Sequence, residues 1–236
     1  METFITFIRH GNNNFVKEGT PWHPGPKLNK RGIKEANLTG KYLKDFPFDM
    51  IISSDMNRAR QTAEIINKYQ KSNKDKKFDN IVFIRELSEH DEVIYSSKKR
   101  GTKKYKEEML KARVTLKFFK QLLKEYAGAK IMIVAHGNVI RACLGTAMGF
   151  KLEKSPELNL FNCSISTLVF KDSDIKSIFH VNAVDHHSDR SFKRKLSAVK
   201  FISNYSALTK PSVFKRPKNG SLETRFRKAK RAKRTS

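Results

Sequence analysis

Residues 3–11 read Thr3-Phe-Ile-Thr-Phe-Ile-Arg9-His10-Gly11. From Thr3 to Ile8 the run is apolar or β-branched, without the polar alternation of a strand that shows one face to water. That is the pattern of a strand buried on both faces of a sheet, and such strands belong to the middle of α/β folds. The apolar run stops abruptly at Arg9. A guanidinium and an imidazole are therefore expected at the carboxyl end of a central strand, the edge where open α/β sheets bind ligands.

Three more runs share this character: Phe48–Ser53, Ile81–Ile84 and Ile131–Ala135. Between them Asn29–Leu43, Asn57–Tyr69 and Tyr105–Tyr126 place apolar residues three and four apart, which predicts amphipathic helices. Strands alternating with helices predict an α/β fold: a three-layer sandwich with a mostly parallel central sheet flanked by helices and right-handed crossovers. Ser164–Phe170 and Ile175–Val181, separated by Lys171-Asp-Ser-Asp174, predict an antiparallel hairpin at the sheet edge.

Each strand end carries chemistry. Arg9-His10-Gly11 leaves the first strand, and Ala135-His136-Gly137-Asn138 leaves another, so two imidazoles would meet if those strands are neighbours. Ser54-Asp-Met-Asn-Arg58 leaves a third strand and enters a helix, and Arg85-Glu86-Leu87-Ser88-Glu89 leaves the fourth and supplies carboxylates. A lone strand-end histidine is more often structural than catalytic, but this joint arrangement is of another kind. Neutral imidazole is a nucleophile, guanidinium clamps phosphate oxygens and a carboxyl group can give a proton, a set suited to phosphoryl transfer. A zinc site would want more neutral ligands and no arginines beside them.

Five stretches together carry a resemblance. Arg9-His10-Gly11, Leu28-Asn-Lys-Arg-Gly32-Ile-Lys-Glu35-Ala36, Ser54-Asp-Met-Asn-Arg58-Ala-Arg-Gln-Thr62-Ala63, Leu87-Ser-Glu89 and His136-Gly137 resemble, in order, the motifs of the histidine phosphatase superfamily, the phosphoglycerate mutase-like proteins. The likeness runs from residue 3 to about 186. It implies that His10 is the phosphorylated nucleophile and that Arg9, Arg58 and His136 hold the phosphoryl oxygens. It further implies that Glu89 protonates the leaving group and then activates water, with no cofactor and no metal. His136-Gly-Asn-Val-Ile-Arg141 and Asn162-Cys-Ser-Ile-Ser166 resemble the branch of the mitochondrial protein serine/threonine phosphatase.

Two departures bear on the expectation. The additional phosphoglycerate-binding segments of the mutases are absent between the acid and the second histidine, which favours hydrolysis over a phosphomutase. His90-Asp91-Glu92-Val93-Ile94 replaces the glycine-containing pattern that often follows the acid, which leaves Glu86 and Asp91 as alternatives to Glu89. The expected activity is hydrolysis of a phosphomonoester on a phosphoprotein or small phosphorylated metabolite. The rival reading is a phosphate- or nucleic-acid-binding protein without turnover.

The chain has 236 residues and a formal net charge of +26, far beyond what solubility asks, so anionic partners are implied. Residues 187–236 hold sixteen Lys or Arg against Asp189 and Glu223, a net +14. Residues 1–186 are expected to form the catalytic domain, 187–209 a basic amphipathic segment and 210–236 a disordered tail. Through that tail the protein is expected to meet an acidic partner, nucleic acid or an anionic membrane. Cys143 and Cys163 lie in or beside apolar stretches without metal-ligand spacing, which predicts buried reduced thiols. With no run long enough for a membrane span, the expected location is intracellular and cytoplasmic, or nuclear or membrane-surface through the tail.

Overall fold

In a computed structural model of the chain, the described residues are 1–14, 23–70, 81–155 and 158–187, with Gly220, Leu222 and Thr224. Six strands, β1 (Glu2–Arg9), β2 (Met50–Ser54), β3 (Val82–Ile84), β4 (Lys130–Ala135), β5 (Ile165–Lys171) and β6 (Asp174–Ala183), form one sheet in the order β3-β2-β4-β1-β5-β6. The first four are mutually parallel, whereas β5 runs antiparallel to β1 and β6 antiparallel to β5. The sheet is thus mixed, its parallel part holding the four apolar runs and its antiparallel edge the expected hairpin.

Among the described residues four α-helices cover it: α1 (Lys30–Leu43), α2 (Asn57–Asn67), α3 (Lys103–Glu125) and α4 (Gly137–Ala147). Alternate residues of the central strands serve two cores, as strand geometry requires. Ile5, Phe7, Ile52, Ile131 and Ile133 pack with Phe118, Phe119 and Leu122 of α3 and Val139, Ile140 and Leu144 of α4. Ile8, Ile51, Met132 and Val134 pack on the other face with Leu43 and with Ala59, Ala63 and Ile66 of α2. Helices α1 and α2 also pack on each other, as do α3 and α4, which completes the three layers.

Local sequence sets the helix starts. Asn29 caps α1 by accepting from the Gly32 amide, and Thr102 caps α3 by accepting from the Tyr105 amide. Because of that cap, α3 begins at Lys103. The helix therefore starts two residues before the predicted Tyr105, and Ser97–Lys99 ahead of it is a short 3-10 turn. The amphipathic segment expected over 187–209 lies outside the described residues except for His187.

Of the expected disordered tail only Gly220, Leu222 and Thr224 are described. Leu222 is 1% exposed in the α3/α4 core, and its amide donates to Glu125 Oε2 at 2.9 Å.

Candidate active site

The register of β1 on β4 pairs Arg9 with Ala135, so the residues that follow, His10 and His136, leave the sheet side by side. Their ring centroids are 5.1 Å apart, and both are buried, His10 at 4% exposure and His136 at 0%. Strand β2 ends on the far side of β4, bringing Ser54 Oγ to 2.9 Å from His136 Nε2. Arg58, in the first turn of α2, completes the cluster.

The hydrogen bonds of His10 fix its tautomer. Nδ1 lies 2.8 Å from the Gly11 carbonyl, which can only accept, so Nδ1 carries the proton. Arg58 Nε, which can only donate, is 3.1 Å from Nε2, so Nε2 presents a lone pair. Burial first, and then the Arg58 guanidinium, hold the His10 pKa well below its ordinary 6.5, so the ring is neutral at physiological pH. The same causes, burial first and then His10 and Arg58, keep His136 neutral.

Around this lone pair the chain is braced by backbone contacts. Gly11 N donates to Thr62 Oγ1 of α2, and Thr62 in turn donates to the Arg58 carbonyl. The His10 carbonyl accepts from Asn162 Nδ2 at 2.9 Å and from the Cys163 amide at 3.3 Å. The Asn12 amide donates to Glu35 of α1 at 2.9 Å.

Glu89 enters from the segment after β3. Its Oε1 accepts from two backbone amides, His90 and Asn138, each at 3.2 Å. Burial is the largest influence on the carboxyl and outweighs the pull of Arg58, Arg9 and those amides, so its pKa is raised from 4.5 to about 7. Arg9 and Arg58 both feel the charge of Glu89. Asp91 is turned to another task, capping the Val93 amide at 2.9 Å and pairing with Lys104. Glu86 stands in a 3-10 turn whose carbonyl accepts from Thr115 of α3.

One residue with a structural role at this site has only a faint sequence signal. Asn138, the residue that follows His136-Gly137, donates its side-chain amide to the His90 carbonyl at 2.9 Å as well as its backbone N–H to Glu89. Its carbonyl accepts from Tyr95 Oη at 3.2 Å. The acid segment is thus clipped to the first turn of α4, the helix that the second histidine introduces. His90 is buried at 2% and bonds Thr115 on α3, which fixes the other side of the same segment.

The donor set can be weighed against a metal or an anion. His10, Glu89 and His136 each offer one ligand atom, all within 4.8 Å of one another. Arg9 and Arg58 bring two permanent cations to that point, which opposes a metal ion. Among the described residues Arg9 Nε and His136 Nδ1 are buried without hydrogen-bond partners, although Arg9 Nη1 donates to the Leu160 carbonyl. A buried unpaired donor is costly, and an oxyanion is the group that would satisfy it here.

Comparison with known proteins agrees with this chemistry. Residues 5–182 match the family model described as Histidine phosphatase superfamily (branch 1). The chain is 29% identical over 187 residues to the uncharacterized phosphatase PhoE of Bacillus subtilis (strain 168), covering 72% of this chain and 90% of that protein. It is 31% identical over 182 residues to the mitochondrial serine/threonine-protein phosphatase Pgam5 of Drosophila ananassae, covering 74% of this chain but 61% of that protein. In fold it is similar to Bacillus stearothermophilus YhfR, with TM-score 0.59, 18% identity and coverage of 79% and 100%. The chain belongs to the histidine phosphatase superfamily, branch 1, and is a phosphatase of that family.

Proposed function

We propose that the protein hydrolyses phosphomonoesters through a phosphohistidine at His10, without a metal, on a phosphoprotein or a small phosphorylated metabolite. The observation that carries the reading is the fixed tautomer of His10, whose Nε2 lone pair stands among Arg58, Arg9 and the unpaired His136 Nδ1.

In the first step the Nε2 lone pair forms a bond to phosphorus while the bond from phosphorus to the ester oxygen breaks. The leaving oxygen takes the proton of Glu89. Arg9, Arg58 and His136 hold the remaining phosphoryl oxygens, where charge spreads in the transition state. In the second step the Glu89 carboxylate takes a proton from water, the water oxygen bonds to phosphorus and the N–P bond breaks. Inorganic phosphate leaves, and Glu89 is protonated again. The two guanidiniums supply the positive charge that a metal ion would otherwise bring, which supports the metal-free reading. The likeness to a protein serine/threonine phosphatase favours the phosphoprotein among the substrate classes.

The test is hydrolysis of p-nitrophenyl phosphate in EDTA by the wild type and by His10→Ala. Turnover that survives EDTA and is lost in the variant by at least ~10⁴-fold is expected from removal of a covalent nucleophile. Loss of wild-type turnover on chelation, restored by added metal, overturns the metal-free mechanism. Equal turnover by His10→Ala overturns the role of His10.

A further inference from the structure

Helix α3 has two faces with different work. Its inner face buries Met109, Ala112, Phe118, Phe119, Leu122 and Leu123 and holds the acid segment through Thr115 and Glu108. On the opposite side Lys103, Lys106, Leu110, Arg113, Lys117, Lys120 and Lys124 follow one another at steps of three and four residues, and all are exposed. Steps of three and four keep residues on one helical face. Six of the seven are cations and none is an acid, and the row runs about 31 Å along the helix at 1.5 Å per residue. Among the described residues no carboxylate pairs with any of the six: the ion pairs of this helix involve Lys104 and Lys111, off the row.

The far end of the row is where the tail meets the domain. Glu125, next to Lys124, accepts the Leu222 amide, and the Leu222 side chain is buried in the core beneath α3. Arg225 follows three residues later and opens Arg225-Phe-Arg-Lys-Ala-Lys-Arg-Ala-Lys-Arg234.

We propose that the outer face of α3 is a docking surface for the phosphate backbone of a nucleic-acid duplex. A straight row of cations on a rigid rod matches a linear polyanion of regular charge spacing. Contacts made by Lys and Arg alone position a duplex without reading its sequence. The row contains no aromatic side chain, which disfavours base stacking on single strands. Leu110 and Val114 are the exposed large apolar side chains of α3, and its extended apolar face is already buried in the core. That disfavours insertion into an anionic membrane, which needs an apolar face to bury.

The experiment uses the full chain and 24-base-pair fluorescent duplexes of two unrelated sequences, followed by anisotropy between 50 and 200 mM salt. The slope of log K on log salt is expected near −5 for the six cations, about −0.9 for each phosphate neutralised. Arg113→Gln/Lys117→Gln/Lys120→Gln is expected to make the slope shallower by about 2.7. The equal-charge control Lys34→Gln/Lys41→Gln/Lys68→Gln, exposed on α1 and beside α2, is expected to leave it unchanged. Hydrolysis of p-nitrophenyl phosphate should be the same in all three proteins, which also shows that each is folded. Equal weakening by the control overturns the proposal in favour of undirected charge. Tighter binding to vesicles with 30% phosphatidylserine, or to single strands, than to either duplex overturns it as well.

Discussion

At the scale of single residues, the site separates its protons between two kinds of group. Burial keeps His10 neutral, because it penalises imidazolium, and keeps Glu89 protonated, because it penalises carboxylate. With the Glu89 pKa near 7, the acid form needed to protonate a leaving alkoxide is lost above neutrality. For a phosphoserine peptide kcat/KM is expected to fall about tenfold per pH unit above pH 7, and Glu89→Gln should abolish that turnover. Nitrophenyl phosphate, whose leaving group needs little protonation, should lose less in the same variant. The folded chain holds this proton between the ordinary pH 4.5 and about 7, so stability falls as pH climbs through that window. Glu89→Gln is therefore expected to raise Tm at pH 8 and leave it unchanged at pH 4, measured by calorimetry; an unchanged Tm at pH 8 sinks this account.

His10, Arg9 and His136 are legible in the sequence because each stands where an apolar run breaks. The choice of Glu89 over Glu86 and Asp91 rests in the sequence on the Leu87-Ser-Glu89 resemblance alone, since three acids within six residues carry no periodic signal. Folding adds a physical distinction: the Asp91 carboxylate caps a turn and meets Lys104. The Glu89 carboxyl is the one that interacts with both guanidiniums.

At the scale of elements, the turn after β1 is pressed against α1 with no room for a side chain. A Cβ on Gly32 would stand 2.0 Å from the Asn12 carbonyl oxygen, and one on Gly11 would stand 2.6 Å from the Gly32 carbonyl oxygen. Both neighbours are backbone and cannot swing away. Gly32→Ala is expected to cost about 1–3 kcal/mol by forced overpacking and to displace the loop that follows His10. Denaturant unfolding together with kcat of the variant measures both effects, and an unchanged unfolding midpoint would show that the loop yields freely.

The buried parallel strands are legible because burial on both faces leaves an unbroken apolar run. Helix α4 is not, for a related reason. Val139, Ile140, Ala142, Cys143, Leu144 and Gly145 are all buried, so the helix lacks the polar face whose recurrence would reveal its period. Lys103 and Lys104 fall outside the helix predicted from Tyr105 because two lysines carry no apolar period. The Thr102 cap, a local bond, is what starts the helix there.

At the scale of the whole molecule, the C-terminal segment is joined to the domain far from it in sequence. Leu222 contributes to the core that also holds Phe118, Leu122 and Tyr126. Leu222→Ala is expected to destabilise the protein by about 2–4 kcal/mol, as cavity formation in a core does. The check is the unfolding midpoint, with p-nitrophenyl phosphate hydrolysis at low temperature unchanged; a midpoint equal to wild type would mean that the tail is not part of the core. Composition alone cannot show such an anchor, because one leucine among lysines and arginines leaves no pattern.

By itself the sequence determined the α/β class, the four parallel strands, the edge hairpin and the identity of the groups that break from the strand ends. These rest on local order, on periodicity and on which residues stop an apolar run. The tertiary structure decided that β1 and β4 are neighbours, so that two histidines 126 residues apart stand 5.1 Å from each other. It decided which proton sits on His10, which of three acids faces the arginines, and where Leu222 is anchored. Strand order, burial and hydrogen-bond partners are pairwise facts between distant parts of the chain, and no local stretch contains them.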